Sequence, residues 1–143
     1  MDSQPPSQEY RISTDQSEMD VAAIHAYLTR SYWAEGISRE LVERSIRGSL
    51  CFGLFTGPEQ VGFARAITDR ATYAYLADVY VLEDHRGTGL GKRLVAAVLA
   101  HPDLQGLRRI VLRTRDAHGL YSQFGFVPAA RPESQMELTR QGR

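Results

Sequence analysis

The stretch LADVYVLEDHRGTGLGKRLVAAVL, residues 76–99, carries the pattern that decides the fold of this 143-residue chain. An apolar run rich in Val and Tyr, residues 76–82, gives way to charged residues and then to the glycine-rich sequence RGTGLG at residues 86–91. Apolar side chains then return with helical spacing from Leu90 to Val98. The stretch therefore predicts a strand, a glycine-rich turn and a helix.

The glycine-rich turn has the features of an anion-binding site. The first N–H groups of a helix have no partner within the helix and lie at the positive end of its dipole. Gly87, Gly89 and Gly91 remove side chains that would block a ligand, and they allow the backbone to take positive φ angles. Arg86 and Lys92 add positive charge at the two ends of the turn.

Two well-known phosphate-binding patterns do not fit this turn. A Walker loop needs Ser or Thr after its Gly-Lys pair, and that position holds Arg93. A dinucleotide-binding fingerprint needs a third glycine where the chain has Lys92. The sequence therefore excludes a nucleoside-triphosphatase loop and a dinucleotide-binding turn.

Two segments resemble the GNAT superfamily of acetyl-CoA-dependent N-acetyltransferases. Arg86-x-x-Gly-x-Gly91, which follows the strand Val79-Tyr80-Val81, resembles the acetyl-CoA loop of that family. Downstream, Tyr121 is followed four residues later by Gly125-Phe126, which resembles the family's helix-to-strand segment. The order of elements also matches over residues 52–138, so acetyl-CoA is the cosubstrate that the resemblance implies.

The order of predicted elements indicates the α/β (α+β) class and a single GNAT-like domain over residues 10–143, after a flexible tail at residues 1–9. We expect a mixed, mostly antiparallel central sheet of six to seven strands with helices on both faces. Strands are predicted at residues 10–13, 50–56, 60–68, 72–82, 108–114, 126–128 and 135–138. Helices are predicted from Thr14 or Ser17 to Ser31, from Ser38 to Arg47, at residues 89–100 and at residues 117–124, the last capped by Asp116 and Gly125.

The cofactor site is predicted where two strands separate. The strands at residues 72–82 and 108–114 should be parallel, because a helix connects them, and should splay apart beyond Val81. In the family that gap receives the pantetheine arm and a backbone N–H polarises the thioester, and the resemblance assigns this role to Val79, Tyr80 and Val81. It assigns the pyrophosphate to Arg86, Gly87, Thr88, Gly89, Leu90, Gly91 and Lys92. Thr114 stands where the family commonly has an Asn that bonds the cofactor arm, so it is a further candidate contact.

Two side chains are candidates for the proton transfers. An alkyl amine, with a pKa of about 10.4, must lose a proton before it attacks a thioester. Period-2 alternation places Leu76, Asp78 and Tyr80 on one strand face, and Asp is depleted in strand interiors, so Asp78 is the candidate base. A structural Asp bonded to a neighbouring Arg or loop is the alternative. The resemblance makes Tyr121 the acid that assists the departing thiolate, with core packing beside Phe124 as the alternative.

The acceptor site is predicted in the loop between the first two helices. Tyr32, Trp33 and Glu35 lie there, in the region that walls the acceptor cleft in the family. We expect a small-molecule primary amine, because so short a chain has no added module for recognising a polypeptide. Protein or peptide acetylation and an inactive acyl-CoA-binding domain are the alternatives, and the resemblance also implies a homodimer.

Composition argues against other classes of protein. Lys plus Arg equals Asp plus Glu at 17 each, so nothing in the charge balance requires nucleic acid or a membrane surface. No apolar run reaches the roughly 18 residues of a membrane span. The four His residues and one Cys lack metal-ligand spacing, so no metal is predicted, and Cys51 is interpreted as a buried, inert thiol of a cytoplasmic protein. A solvated strand edge is predicted for the basic cluster Arg108, Arg109, Arg113 and Arg115.

Overall fold

The computed structural model describes residues 9–140. Its elements are β1 (Arg11–Ser13), α1 (Val21–Leu28), α2 (Arg39–Arg47), β2 (Leu50–Thr56), β3 (Glu59–Thr68), β4 (Tyr73–Val81), α3 (Leu90–Ala100), β5 (Arg109–Leu112) and α4 (His118–Ser122). The tail predicted at residues 1–9 lies outside the described residues, apart from Glu9. Within residues 9–140, no helix combines the length and hydropathy needed to cross a membrane.

The strands form one mixed sheet in the order β1-β2-β3-β4-β5. All neighbouring strands are antiparallel except β4 and β5, which are parallel, as the helical connection through α3 predicts. The α3 cluster covers one face and includes Phe52, Ala64, Leu76, Val81, Leu94, Val98 and Tyr121. The α1–α2 cluster covers the other face and includes Ile24, Tyr27, Val42, Ile46, Cys51, Phe63 and Tyr80.

The first two helices begin at side-chain caps. Ser38 accepts a hydrogen bond from the N–H of Leu41, and α2 ends at Gly48, as predicted. Helix α1 begins later than predicted, because a short 3₁₀ turn occupies residues 16–18. Asp20 then caps α1 by accepting a hydrogen bond from the N–H of Ala23.

The described sheet has five strands, so the prediction of six to seven is wrong. Residues 126–128 and 135–138 form no strand, and Val127, Met136 and Leu138 are 80–92% exposed. Proline cannot donate to a strand ladder, and Pro128 lies directly after Val127. The alternating pattern at residues 135–138 is present in the sequence, but its apolar side chains, Met136 and Leu138, are not buried against the sheet.

A β-bulge in β4 determines the orientation of the site. The register with β3 shifts between Phe63 and Arg65, and Asp78 lies opposite this shift with a φ angle of 56°. Leu76 packs in the α3 cluster, whereas Tyr80 packs in the α1–α2 cluster. The predicted common face for Leu76, Asp78 and Tyr80 is therefore wrong, because the extra residue of the bulge inverts the alternation.

Candidate active site

Strands β4 and β5 separate halfway along β4. They pair only over residues 73–76 of β4 and 109–112 of β5. Within the described chain, β4 then continues to Val81 beside β3 alone. The separation begins after Leu76, earlier than the position predicted beyond Val81, because β5 ends at Leu112 and the chain turns away towards α4.

A cavity of about 670 Å³ lies at this separation. Its walls are formed by residues 75–79 of β4, Arg65 of β3, the loop after α1, the segment after β5 and Tyr121 of α4. Six of the residues predicted for the site line it together, namely Tyr32, Trp33, Asp78, Val79, Thr114 and Tyr121. Glu35 is exposed and does not line it, and the side chains of Tyr80 and Val81 are buried in the two clusters.

The glycine-rich loop leads into α3 with an open backbone. Gly87 and Gly89 have φ angles of 89° and 81°, and a Cβ built on either would have no described atom within 4 Å outside the glycine and the residues next to it in the chain. No side chain among residues 9–140 caps the N-terminus of α3. Leu90 anchors the helix in the core, while Thr88 and Lys92 are exposed. The backbone N–H groups of residues 87–92, beside the Lys92 side chain, form an anion-binding loop that we call the glycine cradle. Such a loop suits a diphosphate.

Tyr121 gives the cavity a neutral hydroxyl. Its side chain is buried, and its ring meets that of Phe126 edge to face, with centroids 5.8 Å apart. Burial, together with the neighbouring Tyr32, raises the pKa of Tyr121 to about 12. The phenol is therefore protonated at neutral pH and can donate a hydrogen bond.

Asp78 makes two strong contacts with neighbouring segments. One carboxylate oxygen accepts a hydrogen bond from Nε of Arg65 at 2.6 Å, and the other accepts from the indole N–H of Trp33 at 2.8 Å. The Asp78 and Arg65 side chains are 10% and 17% exposed. The carboxylate is thus a buried ion-pair partner at the wall of the cavity.

Comparison of the chain with known protein families agrees with this geometry. Residues 21–126 match the model of the acetyltransferase (GNAT) family. The chain belongs to the GNAT family of acetyltransferases. It is thus an N-acetyltransferase, and the resemblance read from its two motifs is confirmed.

Individual relatives support the same family. A GNAT structure from Xanthomonas campestris pv. campestris is 53% identical with a TM-score of 0.89, over 92% of this chain and 93% of that one. A Gibberella zeae protein named as a candidate acetyltransferase is 36% identical, over 80% of this chain and 77% of its own length. The fold also matches a Clostridium acetobutylicum structure solved with acetyl-CoA, at 14% identity and a TM-score of 0.67, over 93% of this chain and 96% of that one.

Arg86 of the GNAT loop is directed into the protein. Its Nε donates to the carbonyl of Val81 and its Nη2 donates to the hydroxyl of Tyr27, each at 2.8 Å. The guanidinium thus fastens the loop to β4 and α1. Two of its donors are therefore used within the protein, although the residue as a whole is exposed.

Thr114 positions the start of α4. Its Oγ1 accepts a hydrogen bond from the N–H of Ala117 at 2.9 Å, and this replaces the cap predicted from Asp116. A hydroxyl that accepts one hydrogen bond can still donate another. Thr114 therefore keeps a donor for a ligand in this GNAT cavity.

Sequence reasoning missed the basic side chains of the cavity. Arg65, Arg113 and Arg115 all line it, and the side chains of Arg113 and Arg115 are 53% and 64% exposed, in agreement with the solvated position predicted for them. The Arg115 guanidinium lies 3.8 Å from the ring centroid of Tyr32. The signal for Arg65 was the same as for Asp78, a charge inside an otherwise apolar strand.

The thiol of Cys51, the one cysteine of the chain, does not line the cavity. Cys51 is buried, which confirms its predicted burial, and burial raises the pKa of its thiol to about 11. Residues 9–140 contain no group of three or more His, Cys, Asp or Glu side chains that could hold a metal ion.

Proposed function

We propose that this GNAT protein transfers an acetyl group from acetyl-CoA directly to a primary amine of a small molecule, in the cleft between β4 and β5. One observation carries the proposal. Strands β4 and β5 separate after Leu76, and the cavity that opens there is lined by Tyr121. The glycine-rich loop follows the C-terminal end of β4 in the chain. The acetyl-CoA in the Clostridium acetobutylicum structure of the same fold supports the choice of donor.

The chain offers acetyl-CoA three kinds of contact. Backbone N–H groups from Gly87 to Lys92 bind the diphosphate, with Lys92 supplying charge. The second half of β4, which β5 does not pair, offers N–H and C=O groups to the amides of the pantetheine arm. When bound, acetyl-CoA supplies the activated acetyl group.

Two groups of the chain stabilise the charge that develops during transfer. A backbone N–H between Val79 and Val81 donates to the thioester oxygen, as an oxyanion hole does. Tyr121 donates a hydrogen bond to the sulfur, because its raised pKa keeps its proton in place. The N–C bond forms as the C–S bond breaks, and the proton lost by the amine passes to solvent while the sulfur leaves as thiolate or thiol.

The acceptor enters beside the aromatic wall. Tyr32 is 50% exposed and Trp33 is 39% exposed, and their rings meet edge to face at the cavity. A volume of about 670 Å³ suits a small molecule. The base role of Asp78 stays a prediction, since both of its carboxylate oxygens already accept hydrogen bonds from Arg65 and Trp33.

A panel of acceptors tests the proposal. Purified protein is incubated with acetyl-CoA and with amines, amino acids and peptides, and thiol release and product mass are measured. We expect turnover with a small primary amine and none with its N,N-dimethyl analogue, which cannot form a stable amide. Faster turnover of peptides would replace the small-molecule acceptor with protein acetylation. Binding of acetyl-CoA without turnover of any amine would identify an inactive binding domain and overturn the proposal.

We also propose a homodimer built on the outer edge of β5. Within the described chain β5 is the last strand of the sheet. Val127, which lines a groove with residues 109–111 of β5, is strongly exposed, as are Met136 and Leu138 later in the same C-terminal segment. An unpaired strand beside apolar side chains favours pairing with another chain. Sedimentation velocity should give a dimer that Met136→Lys with Leu138→Lys dissociates, and a wild-type monomer would contradict this.

The predicted cytoplasmic location is kept as a proposal. A reducing compartment suits a chain whose one Cys is a buried free thiol. Imaging of a tagged full-length protein tests it, with secretion as the contradicting result.

A further inference from the structure

Asp78 occupies a backbone conformation that its surroundings must maintain. Its φ angle of 56° lies in the left-handed region, which L-residues rarely adopt, although Asn and Asp tolerate it better than most. It lies in the bulge of β4, two residues after the last pair with β5. The direction of the following N–H groups therefore depends on whatever holds this bulge.

The Asp78 carboxylate connects three segments of the chain. Through Nε of Arg65 it reaches β3, at 2.6 Å, and through the indole of Trp33 it reaches the loop after α1, at 2.8 Å. Nη1 of Arg65 donates in turn to Oγ of Ser49, at 3.0 Å, just before β2. The Asp78 and Arg65 side chains are 10% and 17% exposed, so solvent screens this pair only weakly.

These contacts are poorly suited to proton transfer. Both carboxylate oxygens accept hydrogen bonds, one from the Arg65 guanidinium and one from the Trp33 indole. A proton taken from an acceptor amine would weaken both bonds, because a neutral carboxyl group is a poorer hydrogen-bond acceptor than a carboxylate. The same contacts are well suited to holding a backbone and a ring in fixed positions.

We propose that Asp78 is a positioning residue for acetyl transfer. Its carboxylate, held by Arg65, fixes the bulge so that the N–H groups from Val79 onward face the cleft, and it fixes the Trp33 ring as the acceptor-side wall. The catalytic part of this inference rests on the proposed acetyl transfer, whereas the structural part does not.

Trp33 makes the proposal measurable without a substrate. It is the only Trp of the chain, so intrinsic Trp fluorescence reports its surroundings. The variants are Asp78→Asn, Arg65→Met and the two combined. Asn tolerates the positive φ angle and can accept from the indole, but it leaves Arg65 opposite a neutral group.

Each single variant should shift the Trp33 emission to longer wavelength and lower the thermal midpoint. Each should also lower kcat roughly 10- to 100-fold, because a displaced wall and strand misalign the reactants. The shape of the pH–rate profile should stay that of the wild type. The thermal midpoint and kcat of the double variant should be no lower than those of the more impaired single variant, since the double variant leaves no buried charge unpaired. Arg65→Lys, which keeps the charge, should recover part of the loss.

A chemical base would give a different pattern. Asp78→Asn would then lower kcat by about 10²- to 10⁴-fold and remove an ionisation from the pH–rate profile, with Trp33 emission unchanged. Arg65→Met would keep most of the activity. That pattern overturns the proposal.

The structural part can be judged even if no amine is acetylated. Unchanged Trp33 emission and thermal midpoint in both single variants would overturn it whether or not the wild type turns over. The matched control is Asp103→Asn, which removes an exposed ion pair with Arg70, at 2.7 Å, at the far end of α3. We expect this control to leave emission and kcat unchanged.

Discussion

The two halves of β4 have similar sequences and different surroundings. Residues 73–76 are paired with β3 on one side and β5 on the other, whereas residues 77–81 pair with β3 alone. Both halves are apolar apart from Asp78. The two halves differ because β5 ends beside the first half and because the second half contains the bulge. The candidate site therefore forms where β4 lacks a pairing strand, and not where the amino-acid composition of β4 changes.

Residues 77–81, the open half of β4, are held in place by contacts of their side chains and of the residue that follows. The Tyr80 ring stacks on that of Tyr27, with centroids 3.9 Å apart and planes 5° from parallel. Val81 is buried in the α3 cluster, and the N–H of Leu82 donates to the carbonyl of Val61 at 2.8 Å. The unpaired backbone groups can therefore keep a fixed direction, which is the condition for electrostatic preorganisation.

The largest expected effect concerns the hydroxyl that faces the open half. Tyr121→Phe should lower kcat by about 10²- to 10⁴-fold, because the departing sulfur loses its hydrogen-bond donor. The affinity for acetyl-CoA should not change, since the ring stays in place. Steady-state kinetics and calorimetry measure the two quantities. Tyr73→Phe, at the exposed start of the paired half, is the control, and an equal loss there would contradict the assignment.

The second-largest effect is expected from a steric clash between β3 and the open half of β4, residues 77–81. A Cβ at Gly62 would lie 2.9 Å from the carbonyl oxygen of Tyr80 and 3.1 Å from Leu54. Gly62→Ala should therefore cost about 1–3 kcal/mol in the free energy of unfolding and also lower kcat. Urea unfolding measures the first quantity. Gly48→Ala, whose Cβ would meet its nearest atom at 3.6 Å, should change neither, and similar losses in both variants would contradict the argument.

A smaller effect is expected at the glycine cradle. Gly89→Ala places a Cβ in open space but forces an L-residue to a φ angle of 81°, which costs about 1–2 kcal/mol. Gly57→Ala, in the β2–β3 turn at a φ angle of 55°, meets the same backbone strain away from the cleft. Both should lower the thermal midpoint, but only Gly89→Ala should weaken acetyl-CoA binding by calorimetry. Equal affinity in the two variants would show that the cradle does not hold the diphosphate.

The same two halves show how far the sequence predicts the fold. Alternation works in the paired half, where Ala74 and Leu76 are buried in the α3 cluster. It fails after Asp78, because a period of two assumes that each residue has one partner across the ladder. The bulge leaves only a weak trace, an Asp in an apolar run. Met136 and Leu138 alternate as in a strand, yet residues 135–138 do not pair with the outer edge of β5, so the pattern alone does not make them a strand.

The candidate site divides in the same way. The glycine loop and Tyr121 could be predicted because their patterns are local in sequence, and Tyr121 lines the cavity between β4 and β5. Arg65 was missed because its pairing with Asp78 depends on the β3–β4 register, which no local pattern records. The inward direction of Arg86 was missed for a similar reason, since Tyr27 is distant in sequence.

The smallest expected effect is the absence of a change at alkaline pH. An ordinary Tyr ionises near pH 10, whereas burial raises the pKa of Tyr121 to about 12. A raised pKa keeps the proton on the phenol, so the donor is retained as the pH rises from about 8 to about 10. For an acceptor amine of low pKa, which is already deprotonated over this range, kcat/KM should therefore stay flat. For an alkyl amine it should rise towards the acceptor's own pKa, because only the neutral amine attacks. A fall near pH 10 with the low-pKa acceptor would mean that Tyr121 titrates as if in water, and that the open half of β4 does not shield its cavity.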